Sequence, residues 1–264
     1  MSLAFVLGSL LIVALAELVR PRRRRGFPAL RRRLGNLGMW LLNVVLAAFV
    51  FASPAIFRPQ LEAAFSLTLP AWPIADPAVG FIIGFLLLDL LQYAIHRCQH
   101  AVPFLWRLHA LHHSDPDVDV TTSVRHHPIE YLIASAMSWL TVLALGIPAI
   151  IVISHAVTVF AAAAVTHGNI RLPDWLERLL QPVVITLDLH LIHHSMAYAE
   201  ANSNFGAVLS IWDRIFGTFT AASPERVQAL TYGIRDLPQR DCLKISSMFL
   251  TPWLLGRAAV GARN

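Results

Sequence analysis

Five apolar stretches dominate the chain: Ser2–Val19, Leu37–Phe57, Val79–Ile95, Tyr131–Leu145 and Ala149–Val165. With their flanks they approach the roughly 20 residues that a helix needs to cross a bilayer. Inside hydrocarbon every peptide group must be satisfied internally, so apolar runs of this length form helices. The expected fold is therefore all-α: an integral membrane helical bundle of about four to five spans. Composition agrees. The chain is 56% hydrophobic and 14% charged, against about 25% charged in a soluble domain. Its two cysteines, Cys98 and Cys242, exclude a disulfide scaffold and a cysteine-based zinc motif.

Charge orients the spans. Positive charge follows the first apolar stretch and none precedes it, which is the reverse of a secretory signal. The run RPRRRRGFPALRRR (20–33) then marks the cytoplasmic side and contacts lipid headgroups. Despite the net charge of +5, it does not read as a nucleic-acid patch. Leu37–Phe57 leads outward, 58–77 forms an external loop or re-entrant segment, and Val79–Ile95 returns. Tyr131–Leu145 leads out again, GIP (146–148) breaks the helix, and Ala149–Val165 comes back to THGN. Residues 174–189 read as an interfacial or cytoplasmic helix, 202–219 as a cap closing over the site, and 248–264 as a tail in the interface. The chain reads as a single membrane domain, 1–264. Residues 1–78 hold the N-terminal spans and basic loop, 79–220 a histidine-rich region, and 221–264 the tail. No linker or second domain is visible, nor any cytochrome b5 or reductase domain.

Histidine is the second signal. Eight of the twelve histidines fall in three windows: His96 and His100, then His109, His112 and His113, then His190, His193 and His194. On a helix, positions i, i+3 and i+4 share a face, so each window presents its imidazoles together. The topology places all three windows, and His167, on the cytoplasmic side. Neutral imidazole binds zinc, copper, iron and nickel. Four to six donors satisfy one ion, so this many suggest two. His126 and His127 are adjacent and diverge on a helix, so one of them, His127 foremost, is a further candidate. His155 lies within a span and reads as a structural hydrogen-bonding residue. Asp188, Asp115 and Glu130 are candidates to accept the second N–H of a liganding ring. Asp89 shares a face with Gln92 and His96. It either holds His96 or bonds Tyr93 or a neighbouring helix.

HExxH is absent, which argues against a zincin-type protease. No Glu-x-x-His pair supports a ferritin-like carboxylate site. No heme-attachment, flavin or nicotinamide fingerprint occurs. A histidine-rich site for two metals at a bilayer surface suits activation of O2 against a lipid C–H bond. Two other classes remain open: a metal transporter, and a hydrolase holding two zinc ions.

The ordered set HxxxH, HxxHH and a late HxxHH, with HPIEY, HGNIRLP and NFGAVLSIWDRIFGT, resembles the sterol desaturase/fatty acid hydroxylase superfamily over roughly residues 79–220. That resemblance implies a membrane di-iron oxidase with an all-histidine, cytosolic site. It makes His96, His100, His109, His112, His113, His190, His193 and His194 the ligands, with His167 joining them, and leaves the role of His127 open. It implies two iron ions, which zinc can replace in a purified sample, with O2 as co-substrate. The reaction hydroxylates or desaturates a fatty acyl or sterol-like lipid. Two electrons come from an external donor such as a ferredoxin, cytochrome or reductase.

Overall fold

The computed structural model describes residues 3–24, 26–65, 70–235, 237 and 243–255, with residue 3 and residues 49–65 described by backbone alone. Cys242 and the tail from 256 onward lie outside the described residues. The helices are α1 Leu3–Val19, α2 Ala29–Phe65, α3 Pro77–Ala101, α4 Pro103–His113, α5 Pro128–Leu145, α6 Ala149–Thr166, α7 Asp174–Leu180, α8 Leu187–His193, α9 Tyr198–Ala201, α10 Ile211–Ile215, α11 Pro224–Gln228 and α12 Ile245–Leu254. A 3-10 turn spans Val120–Val124. No strand forms among the described residues beyond two isolated bridges, Val184 with Leu209 and Ser195 with Tyr232.

The helical membrane fold is as expected from the apolar runs. Among the described residues α3, α5 and α6 are long and apolar enough to cross a membrane, and α1 and α12 are shorter apolar helices. The boundary that differs most is that of α2. It runs unbroken for 37 residues, through the expected span and into the stretch expected to be loop.

Local chemistry sets the ends that matter. Asp76 accepts the Val79 amide at 2.8 Å and starts α3, a standard side-chain cap. Val102 is extended (φ −92°, ψ 119°) between α3 and α4, as a residue before proline must be. Pro103 then opens α4. This break turns the second histidine window back toward the first. At the far end Gly146 ends α5 with φ +65°, and a Cβ there would stand 2.2 Å from the Pro70 carbonyl oxygen. Only glycine fits, and the turn sends α6 back antiparallel. Leu88, Ile147 and Ile151 form the core at this end, with Trp72 and Phe85 against it.

The histidine end is held by ion pairs. The basic run was expected to face headgroups, but several of its arginines turn inward. Arg32 is fully buried and bonds Asp115 at 2.8 Å and also Asp119. Arg33 bonds Asp119 at 2.8 Å and Glu17 at 2.6 Å. Arg22 pairs with Asp188, and Arg23 lies 4.1 Å over the Tyr232 ring. Glu17 also accepts the amides of Val120 and Asn169 at 2.8 and 2.9 Å. These contacts tie α1 and α2 to the turns that flank the histidines. Next to them, Leu187, Leu191 and Ile192 of α8 pack with Val118, Val227, Leu230 and Tyr232.

Arg32→Met would leave buried Asp115 without a cation and Asp119 with Arg33 alone. A loss of about 3–5 kcal/mol is expected, the range for breaking a buried pair from one side, and thermal unfolding in detergent would measure it. An Arg32→Met protein as stable as the parent would refute this account.

Candidate metal centre

The nine expected ligands divide into two groups. His96, His100, His109, His113 and His193 have ligand atoms all within 4.8 Å of one another, and so do His112, His167, His190 and His194. Eight of these rings are buried and His96 is half-buried. The groups adjoin, since the His113 ring lies 4.6 Å from both His193 and His194.

Helix geometry explains the partition. At 100° per residue, i and i+4 differ by about 40°, whereas i+3 lies about 60° to the other side. In α4, His109 and His113 enter the five-histidine group while His112 enters the four-histidine group. In α8 and its C-cap, His190 and His194 enter the four-histidine group while His193 crosses to the other. Each HxxHH window therefore serves both groups. His96 and His100 come from the last turns of α3, and His167 caps the C-terminus of α6.

The donor set fits metal ions. In the four-histidine group the Nε2 atoms approach closely: His112 to His167 at 3.1 Å, His190 to His167 at 3.0 Å, and His194 to both His167 and His190 at 3.2 Å. His167 Nδ1 donates to the Ala163 carbonyl at 2.8 Å, so its Nε2 carries a lone pair. Nitrogens bound about 2.1 Å from one ion stand about 3.0–3.4 Å apart, which is the spacing observed. In the five-histidine group, Nε2 of His96, His100, His109, His113 and His193 is buried with no hydrogen-bond partner among the described residues. Buried polar atoms without partners call for an occupant.

The protein also fixes ring tautomers. His96 Nδ1 donates to the Phe205 carbonyl at 2.9 Å, and His193 Nδ1 donates to the Ser203 carbonyl at 2.7 Å. A carbonyl only accepts, so both rings turn an unprotonated Nε2 inward. These carbonyls flank Asn204, which has φ 54°. Asn204 donates to the Leu189 and Thr220 carbonyls at 3.0 and 2.9 Å and accepts the Thr220 amide at 3.0 Å. Asp213 accepts the Phe205 and Gly206 amides at 2.7 and 2.8 Å. A Cβ on Gly206 would meet the Leu209 carbonyl at 2.4 Å. His109 Nδ1 bonds Glu130 at 2.7 Å, the only expected carboxylate that touches one of the nine rings among the described residues.

Other expected site residues lie elsewhere. Asp89 does not hold His96. It accepts from the Leu209 amide at 3.2 Å and Trp212 Nε1 at 2.8 Å, and lies 3.7 Å from His155 Nε2. Asp188 pairs with Arg22, and Asp115 with Arg32. His127 faces away: its Nδ1 accepts the Ile129 amide at 3.2 Å and caps α5, and Nε2 meets the Phe249 carbonyl at 3.3 Å. Its neighbour His126 is the one that turns inward. It stacks on His112 at 4.7 Å and bonds Glu130 at 3.1 Å. The i,i+4 spacing of His126 and Glu130 was the available sequence signal. Asn204 and Asp213 stood in the sequence only as part of NFGAVLSIWDRIFGT, with no role assigned, because they act through backbone carbonyls and amides.

Burial disfavours the charged form of six of the rings. It lowers His193 to about 3 and His167 to about 4. Burial first, and the neighbouring imidazoles second, push His112, His113, His190 and His194 well below the usual histidine value.

A family model described as fatty acid hydroxylase matches residues 81–218, a little over half of the 264 residues. The chain is 32% identical to ornithine lipid hydroxylase OlsE of Rhizobium tropici over 198 residues, covering 75% of this chain and 57% of that protein. It is 30% identical to alkylglycerol monooxygenase of Homo sapiens over 158 residues, 57% of this chain and 33% of that protein. It is also 30% identical to fatty acid hydroxylase vlmA of a Lecanicillium species over 145 residues, 50% of this chain and 40% of that protein. The chain thus spans less than two thirds of the length of these relatives. No solved structure matches it.

Two outcomes are expected. Unfolded histidine binds its proton near pH 6.5, while His193 and His167 resist until about 3 and about 4. Between those values the unfolded chain holds more protons, so the stabilisation is complete above about pH 6.5 and is lost as pH falls. The unfolding midpoint of metal-free protein should drop between pH 7 and 5, and a flat profile would contradict neutral burial. Second, Asn204→Ala should be less stable than Asn204→Gly by about 1 kcal/mol, the cost of a left-handed backbone for a residue with a Cβ. Equal midpoints would remove the constraint assigned to this turn.

Proposed function

The chain belongs to the fatty acid hydroxylase family, and we propose that it is an integral membrane di-iron oxygenase that hydroxylates or desaturates a lipid. The observation that carries this reading is the pair of adjoining, buried all-histidine groups, gathered where the apolar helices α3 and α6 end. His96, His100, His109, His113 and His193 would hold one iron, and His112, His167, His190 and His194 the other. When bound, iron supplies the oxidising power that an unactivated C–H bond requires. The residues contribute position, dryness and fixed lone pairs. The Ser203 and Phe205 carbonyls hold His193 and His96, and Glu130 holds His109. Residues 1–264 act as one membrane domain, with 79–220 carrying the centre.

The names of the relatives, a hydroxylase of ornithine lipid, an alkylglycerol monooxygenase and a fatty acid hydroxylase, favour hydroxylation over desaturation. The balance is a lipid C–H, O2, two electrons and two protons giving a lipid C–OH and water. Histidine supplies none of those electrons per turnover, so a ferredoxin, cytochrome or reductase must. The histidine end carries the basic run, and the preference of lysine and arginine for the inner side supports a centre on the cytoplasmic face. Transport across the bilayer is disfavoured, because a metal pathway needs ligands along the span. Here Asp89 is already bonded by Trp212 and Leu209.

Protein from cells fed iron-57 should show two coupled irons per chain by Mössbauer spectroscopy, and His112→Ala should lose the four-histidine iron. With a reducing partner and labelled dioxygen, the parent should place labelled oxygen in a lipid. Zinc as the only metal in cells given iron, or metal content indifferent to His112→Ala, would overturn the assignment.

A further inference from the structure

We propose that the lobe built from α7, residues 181–184 and residues 208–216 is embedded in the bilayer beside α3, with lipid hydrocarbon as its partner. The lobe is one body. The Ile185 amide donates to the Val208 carbonyl at 2.8 Å, the Ser210 amide to the Val183 carbonyl at 2.9 Å, and Ser210 Oγ to the Gln181 carbonyl at 2.7 Å. Its attachment to α3 fixes its depth. Trp212 Nε1 and the Leu209 amide both donate to Asp89. Asp89 precedes His96 by seven residues, about 10 Å further along the helix. It is the middle of the 25 residues of α3. The Phe216 ring stacks on Tyr93 at 5.3 Å, one turn nearer the histidines. The lobe therefore lies alongside the apolar part of a span rather than above its end.

The outward side of the lobe is mixed: Arg178 and the Arg171–Asp174 pair are exposed, beside a row of apolar side chains. Trp175, Leu179 and Val183 follow at i, i+4 and i+8, and are 62%, 64% and 54% exposed. Ile215 is 65% exposed and Phe216 45%. At this depth the exposed side of α3 is also apolar, with Ile83 and Leu87 each 38% exposed. Lobe and span thus both expose apolar side chains at the depth of Asp89, which favours lipid over a soluble protein partner. Arg214 stands on the same lobe. Its guanidinium lies 3.7 Å over the Phe219 ring and bonds the Gln181 carbonyl, so its charge is partnered by the protein. Phe216 leads through Tyr93 to Phe205, whose ring lies 5.1 Å from His100 and 5.6 Å from His96. An apolar wall thus continues from the bilayer to the five-histidine group.

The test uses the full chain in phospholipid vesicles, with Cys98→Ser and Cys242→Ser as background. Spin labels are placed singly by Leu179→Cys and Ile215→Cys. Ile82→Cys on α3 serves as the lipid reference, and Tyr198→Cys, 78% exposed on α9, as the aqueous one. Power saturation with oxygen and with a water-soluble nickel complex reads the depth. Labels at 179 and 215 should match 82, colliding with oxygen several-fold more than with nickel. Collision with nickel as at 198 would overturn the proposal. Protection from both reagents would also overturn it, in favour of a second copy or another protein. Wild-type chain provides a measurement free of substitutions. A phospholipid with a photoactivatable acyl chain should form adducts within 174–183 and 211–216, and labelling confined to α3, α5 and α6 would reject the embedded lobe.

Discussion

Nine imidazoles form two adjoining groups in this protein, and each can serve a metal only if it is neutral and turns a lone pair toward its group. Burial favours the first condition, because the charged form of a ring loses its hydration. The second needs a partner for the outer nitrogen. His96 and His193 find it in the Phe205 and Ser203 carbonyls, His109 in Glu130, and His167 in the Ala163 carbonyl of its own helix. Much of the surrounding structure can be understood as the support those partners require. The left-handed Asn204 aims two neighbouring carbonyls at rings from two different helices, and Asp213 holds the amides that follow.

The charged residues at the histidine end act at one remove. Arg32 neutralises Asp115 and Asp119, while Arg125 bonds Asn36, Ser114 and the Leu111 carbonyl. Leu111 and Ser114 bracket His112 and His113. The position of the second histidine window thus depends on arginines from α2 and from the turn after Val124. Buried pairs of this kind contribute little net stability but are costly to break from one side. That asymmetry suits a site whose ligands must not drift.

Much of the fold was legible. Apolar runs located α3, α5 and α6, the Gly146 break was visible as GIP, histidine spacing singled out eight ligand candidates, and the span topology brought them and His167 to one end. Other features were hidden for definite reasons. The basic run read as a surface because charge is normally solvated, and nothing local says that Asp115 and Asp119 will receive Arg32. Of two adjacent histidines, the one before proline was favoured. It became a helix cap, because the residue preceding Pro128 must be extended and its ring then falls back on the amides of α5. Asp89 shared a helical face with His96, yet the cap supplied Trp212 first.

The sequence by itself determined the solvent of the fold, the helical repeat that puts i and i+4 on one face, and the end of the bundle where the imidazoles collect. These follow from hydrophobicity and backbone periodicity, which are local and need no knowledge of neighbours. Only the tertiary structure decided which rings share a group and which nitrogen of each faces inward. It also decided which carboxylates support a histidine and which neutralise an arginine. Those outcomes rest on hydrogen bonds between residues up to 166 positions apart, often to backbone carbonyls that carry no side-chain signature.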